Sequence, residues 1–134
     1  MRTILIVDDE ANARYGLRRA LEHKYRMAEA DSAAAAREAL PREKPDVILL
    51  DLVMPGEDGL AFLRWLREQE QAPPVLVVSA LDTAKSAVEA LQLGAADYIV
   101  KGVMLVWRYR SGRWKTVLGR EPERMLAPIE PSET

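Results

Sequence analysis

The feature that most constrains this chain is a repeated alternation. Short apolar runs rich in Val, Ile and Leu alternate with segments of helical periodicity, the pattern of βα units wound around a parallel sheet. Thr3 to Val7, Val47 to Leu50 and Val75 to Val78 are continuously apolar, as central strands covered on both faces must be. Arg26 to Ala30 and Tyr98 to Val100 complete a set of five expected strands. Between them, Leu17, Ala20 and Leu21 define one helical stripe, Leu60, Leu63 and Leu66 a second, and Ala84, Ala87, Val88 and Leu91 a third. Ser32 is placed to cap a helix running through the alanines to Leu40, where Pro41 follows. Gly94 stands where the helix before the fifth strand should stop, and supplies the left-handed conformation such ends favour.

Composition narrows the chemistry. A chain of 134 residues with 49% hydrophobic and 30% charged residues has the balance of one globular domain with a real core. The absence of cysteine removes disulfides, thiolate zinc sites and cysteine nucleophiles, and makes a reducing cytoplasm the expected compartment. A single histidine, His23, cannot build a histidine metal site and is expected near a helix end. The apolar run from Ile4 to Val7 meets Asp8, Asp9 and Glu10 at once, too soon for a signal peptide, and no stretch is long enough to span a bilayer. The net charge of −2 offers no global attraction to nucleic acid or an anionic membrane.

In an open parallel sheet, ligands bind beyond the carboxyl ends of the strands. Asp8 and Asp9 follow the first expected strand, Asp51 ends the third, Ser79 the fourth and Lys101 the fifth. All five polar groups should converge on one rim. Three carboxylates that close repel, each pair by about 4 kcal/mol at 4 Å and an effective dielectric near 20. Lys101 offsets part of this, and a hard cation with oxygen ligands, Mg²⁺ above all, would supply the rest. Such a cluster suits phosphoryl transfer, with Asp51 as the nucleophile that forms an acyl phosphate.

Four segments carry a resemblance: Ile4 to Glu10, Val47 to Gly59, Val77 to Ala80, and Gly94 to Lys101. In this order and spacing they resemble the receiver domains of response regulators, the phosphoacceptor modules of two-component signalling. The resemblance implies a flavodoxin-like, doubly wound, five-stranded parallel sheet with helices on both faces. It implies Asp51 as phosphoacceptor, Asp8, Asp9, Asp51 and the backbone carbonyl of Val53 as Mg²⁺ ligands, and Lys101 as the lysine that pairs with the phosphoryl group. Ser79 is similar to the hydroxyl residue that bonds the phosphoryl oxygen, and Tyr98 to the aromatic that swings inward behind it. A sensor histidine kinase is the implied donor. Val53 and Leu81 are apolar where side chains of similar domains can orient attacking water, so the acyl phosphate is expected to hydrolyse slowly.

The chain departs from the family after Lys101, where receivers often continue with proline and a fifth helix. Here Gly102 follows, and the alternation of Val103, Leu105, Trp107 and Tyr109, then Ser111-Gly112 and Trp114 to Leu118, reads as a hairpin. The fifth helix is thus expected to be replaced or altered. Its basic residues, Arg108, Arg110, Arg113 and Lys115, are too few for strong phosphate-backbone binding without a recognised motif. Charge shifts at the same point, from net −4 over residues 1 to 101 to net +2 over 102 to 134. Residues 1 to 120 are read as the receiver unit and 121 to 134, with three prolines, as an extended tail. An output domain, a partner protein or a second copy would receive the signal, and a stretch of uncovered sheet favours self-association. The competing readings are an interaction module indifferent to phosphorylation and a metal-dependent phosphohydrolase. The second is weakened by Val53, which stands where a second acid or base would be needed.

Overall fold

The computed structural model describes residues 1–80 and 83–101 in full and the backbone of 105–110 and 113–118. Leu81, Gly102, Ser111, Gly112 and residues 121 to 134, on which several expectations fall, lie outside the described residues.

Five strands form as the apolar runs require: β1 (Thr3–Val7), β2 (Arg26–Ala30), β3 (Val47–Leu50), β4 (Val75–Ser79) and β5 (Asp97–Val100). They pair in parallel in the order β2-β1-β3-β4-β5. Two further strands, β6 (Leu105–Arg110) and β7 (Arg113–Leu118), add to the β5 edge as an antiparallel hairpin, with Tyr98 opposite Tyr109 and Val100 opposite Trp107. Four helices connect the parallel strands: α1 (Ala11–Leu21), α2 (Ala33–Glu43), α3 (Gly59–Glu68) and α4 (Ala84–Gln92). The hairpin stands where the resemblance implies a fifth helix.

The sheet is sandwiched between two unequal layers, as alternate residues on each strand point to opposite faces. Leu5, Val7, Ile48, Leu50, Val75, Val77 and Tyr98 pack beneath α2, α3 and α4 with Phe62, Leu63, Leu66, Ala87 and Ala90. Ile4, Ile6, Leu49, Leu76 and Ile99 form the opposite layer with Leu17, Leu21 and Tyr25. Each fully buried Leu, Ile or Val side chain stabilises the fold by about 1.5–3 kcal/mol relative to exposure.

The structure departs from the expected helix pattern on all four helices. The helix begun by Ser32, whose Oγ accepts from the Ala35 N–H, runs through Pro41 to Glu43 instead of ending at Leu40. Its last turn is closed by the Lys44 N–H donating to the Leu40 carbonyl from a left-handed cap, a bond that does not involve the proline nitrogen. On α4 the buried positions are Ala87 and Ala90, while Ala84 and Val88 face solvent. Two small side chains let this helix approach the sheet closely, so burial follows size there more than hydropathy. Ala20 on α1 is exposed, and on α3 Phe62 joins Leu63 and Leu66 in the buried layer while Leu60 is only partly buried against it. Gly94 takes φ +103 just beyond the α4 terminus, where its N–H donates to the Leu91 carbonyl.

Candidate functional site

The topology reverses direction at β1. From β1 the chain moves outward to β2, then crosses back to β3 on the other side, which opens a crevice at the carboxyl ends of β1 and β3. Val7 and Leu50 are register partners, so the residues that follow them, Asp8 and Asp51, leave the sheet at the same level. The Asp51 N–H donates to the Val7 carbonyl at 2.9 Å, locking the two segments together. Asp8, Asp9 and Asp51 each present a carboxylate oxygen within 4.8 Å of the others. Asp8 and Asp51 are buried, whereas Asp9 is exposed.

Lys101 enters from the end of β5. Its Nζ lies 2.6 Å from Asp8 Oδ2 and 3.4 Å from Asp51 Oδ2. Its backbone N–H donates to the Ser79 carbonyl at 2.8 Å, which anchors the β5 exit to the β4 exit. Ser79 itself is fully buried at the end of β4. Tyr98 is also fully buried, with its ring in the three-helix layer. The structure thus seats this aromatic inside the core.

The turn after Asp51 is sharply folded. Asp51 Oδ1 accepts the Val53 N–H at 3.1 Å, and Asp58 caps α3 by accepting the Leu60 N–H. A Cβ on Gly59 would collide with the backbone of Leu52, so the return of this loop against its own start requires glycine. Val53 is about half exposed (52%), at the open side of the cluster.

The electrostatics match the geometry. Burial pushes the Asp51 carboxyl above its ordinary value, opposed by the Val53 N–H bond and the Lys101 charge, while Asp8 adds to the rise. Burial alone would lower Lys101, but its hydrogen bond to Asp8 and the Asp51 and Asp8 charges outweigh that and raise it. Three carboxylates and one ammonium leave a net charge of −2. Oxygen donors at this spacing, carrying this uncompensated charge, fit a hard divalent cation with room for retained waters.

Sequence reasoning missed two arginines. Arg14 on α1 donates from Nη1 to the Asp8 carbonyl oxygen at 2.6 Å. Arg37 on α2 pairs with Glu57 of the loop after β3 at 2.6 Å and covers the Trp65 ring at 4.7 Å. An arginine that serves a backbone carbonyl leaves no pattern of paired side chains to find.

This architecture and acid cluster can be set beside known proteins. A family model for the response regulator receiver domain matches residues 4–105. The chain belongs to the response-regulator receiver family. It is 38% identical over 133 residues to the phosphate regulon transcriptional regulatory protein PhoB of Pseudomonas aeruginosa, covering 96% of this chain and 57% of that protein. It is 39% identical over 99 residues to response regulator MprA of Mycobacterium leprae, covering 73% of this chain and 43% of the relative. The chain therefore spans about half the length of these relatives. The BeF3-activated N-terminal receiver domain of Klebsiella pneumoniae RstA superposes with a TM-score of 0.71 at 33% identity, covering 76% of this chain and 87% of that one. As a receiver domain of two-component signalling, it is of a family that acts as a phosphoacceptor switch and binds Mg²⁺ at an acidic pocket. Among the described residues, no helix is long and apolar enough to cross a membrane.

Proposed function

We propose that Asp51 is the phosphoacceptor of this receiver, phosphorylated from the phosphohistidine of a sensor histidine kinase. The observation that supports this most is the meeting of Asp8, Asp9 and Asp51 within 4.8 Å of one another, with Lys101 paired to Asp8 and Asp51. In the reaction a carboxylate oxygen of Asp51 attacks phosphorus, the P–N bond breaks, and its electron pair stays on the imidazole, which is reprotonated from solvent. Lys101 is placed to neutralise the oxygens of the transferring group. Asp8, Asp9, Asp51 and the Val53 carbonyl are the groups that would hold Mg²⁺, whose chemistry is to offset phosphoryl charge. Ser79 and Tyr98 form the switch: the new phosphate adds about −1.5 to −2 charges and three strong acceptors, toward which the Ser79 hydroxyl turns. With Tyr98 already seated, phosphorylation holds the ring in place instead of drawing it in.

The receiver unit extends through residue 120, and its signal passes to an output domain, a partner protein or a second copy. The name of the Pseudomonas relative makes a transcriptional output the first kind to seek. The cytoplasm is the expected compartment. Because Val53 offers no polar group to attacking water, the acyl phosphate is long-lived, and Val53→Asn should shorten its lifetime severalfold. Borohydride reduction of the phosphorylated chain followed by peptide mass mapping tests the assignment. Reduction at Asp51 supports it, and reduction at Asp8 or Asp9 overturns it.

A further inference from the structure

Asp8 is held from every side. Its N–H donates to the Ala30 carbonyl at 3.1 Å, Oδ1 accepts the Glu10 N–H at 2.9 Å, and Oδ2 accepts from Lys101. The remaining group, its backbone carbonyl, accepts from Arg14 Nη1 at 2.6 Å, a short charge-assisted bond. Arg14 is fixed in turn from the neighbouring strand: its Nε lies 3.3 Å from Glu29 Oε1 on β2, and its side chain is only 18% exposed. Glu29 Oε2 also faces Arg18 Nη1 at 3.7 Å. A relay thus runs from β2 through Glu29 and Arg14 to the backbone of Asp8, at the head of the loop that also carries Asp9.

We propose that Arg14 is a positioning residue for the cation site: its guanidinium fork, oriented by Glu29, fixes the β1–α1 loop so that Asp8 and Asp9 meet the ion together. The inference rests on the metal-binding reading above. Two physical effects of Arg14 have opposite signs, which makes the role testable. As a positive charge beside a cation site, Arg14 opposes binding, so its removal would tighten Mg²⁺. As a clamp on the ligand loop it favours binding, and loss of such outer contacts typically weakens a metal site by about 10–100-fold. Glu29, shared between Arg14 and Arg18, offsets part of the Arg14 charge, so the clamp should dominate. Lysine keeps the charge but lacks the planar fork that reaches carbonyl and carboxylate at once.

The test is titration calorimetry of the whole chain with MgCl₂, alongside thermal unfolding in EDTA to register the metal-free fold. Arg14→Met should bind Mg²⁺ about tenfold more weakly than the natural chain. Arg14→Lys should recover only part of that loss, and Glu29→Gln should weaken binding about threefold, less than the usual outer-contact loss because glutamine keeps an acceptor for Arg14. Affinity unchanged or tightened in Arg14→Met, with the natural chain binding normally, overturns the clamp while leaving the metal reading intact. No heat from the natural chain overturns the metal reading itself. Should Arg14→Met lose its unfolding transition in EDTA, Arg14→Lys decides the matter: natural affinity there overturns the proposal, and a several-fold loss supports it.

Discussion

The two ends of this sheet treat their acidic residues in opposite ways. At the amino end, Asp46 Oδ2 accepts the Thr3 N–H at 2.8 Å, and Glu43 sits 2.7 Å from Arg26 and 3.3 Å from Arg42. The Arg42 hydrogen bond, reinforced by Arg26, holds the Glu43 carboxyl below its ordinary value despite some burial. At the carboxyl end, three acids crowd together with Lys101 paired to two of them, and burial drives Asp51 upward. Carboxylates at the first end stabilise the fold, whereas Asp51 at the second is buried against its own ionisation. Unfavourable charge placed at the switch point of a doubly wound sheet is a mark of function.

The largest effect expected from breaking this contrast comes at Lys101. Lys101→Met leaves Asp8 and Asp51 without the ammonium that bridges them and should cost about 2 kcal/mol at neutral pH without metal, since removing one partner of a largely buried pair exposes their repulsion. Urea unfolding measures it, and addition of Mg²⁺ should recover much of the loss. In the natural chain the raised Lys101 pKa makes its contribution fully present below the ordinary lysine range and lost as pH climbs through the raised value.

Next in size is Asp46→Ala, which strips the Thr3 N–H of its acceptor beside a buried strand and should cost about 1–2 kcal/mol with no change in Mg²⁺ affinity. Smaller and opposite in sign is Asp51→Asn. A raised carboxyl pKa means the folded state binds a proton more readily than the unfolded one, so this group's contribution declines as pH rises from the ordinary carboxylate range through the raised value. At neutral pH without metal, Asp51→Asn should therefore stabilise by about 1 kcal/mol, a rise of roughly 4 °C in Tm by calorimetry. The gain should vanish at low pH, where the natural Asp51 is protonated, and shrink when Mg²⁺ is added.

Much of this contrast could be read from the residues alone. Continuous apolar runs mark buried parallel strands without ambiguity of face, and strand ends then place Asp8, Asp51 and Lys101 on one rim. Helix faces were less legible because α4 packs through Ala87 and Ala90, whose small size gives a weak hydropathy signal. The extension of α2 through Pro41 depends on a left-handed lysine cap, a conformation for which Lys44 carries no sequence mark. Arg14 escaped notice because its partner is a backbone carbonyl, and Tyr98 could be named but not oriented.

On the reading above, the carboxyl-end acids form a metal-dependent phosphoryl acceptor at Asp51. Intact mass after incubation with acetyl phosphate, with Mg²⁺ or with EDTA, on the natural chain and Asp51→Asn, tests it most directly. The expected result is one phosphoryl adduct on the natural chain with Mg²⁺, little with EDTA and none on the variant. An adduct on Asp51→Asn equal to that on the natural chain, or no adduct on the natural chain while it stays folded and binds Mg²⁺, would contradict it.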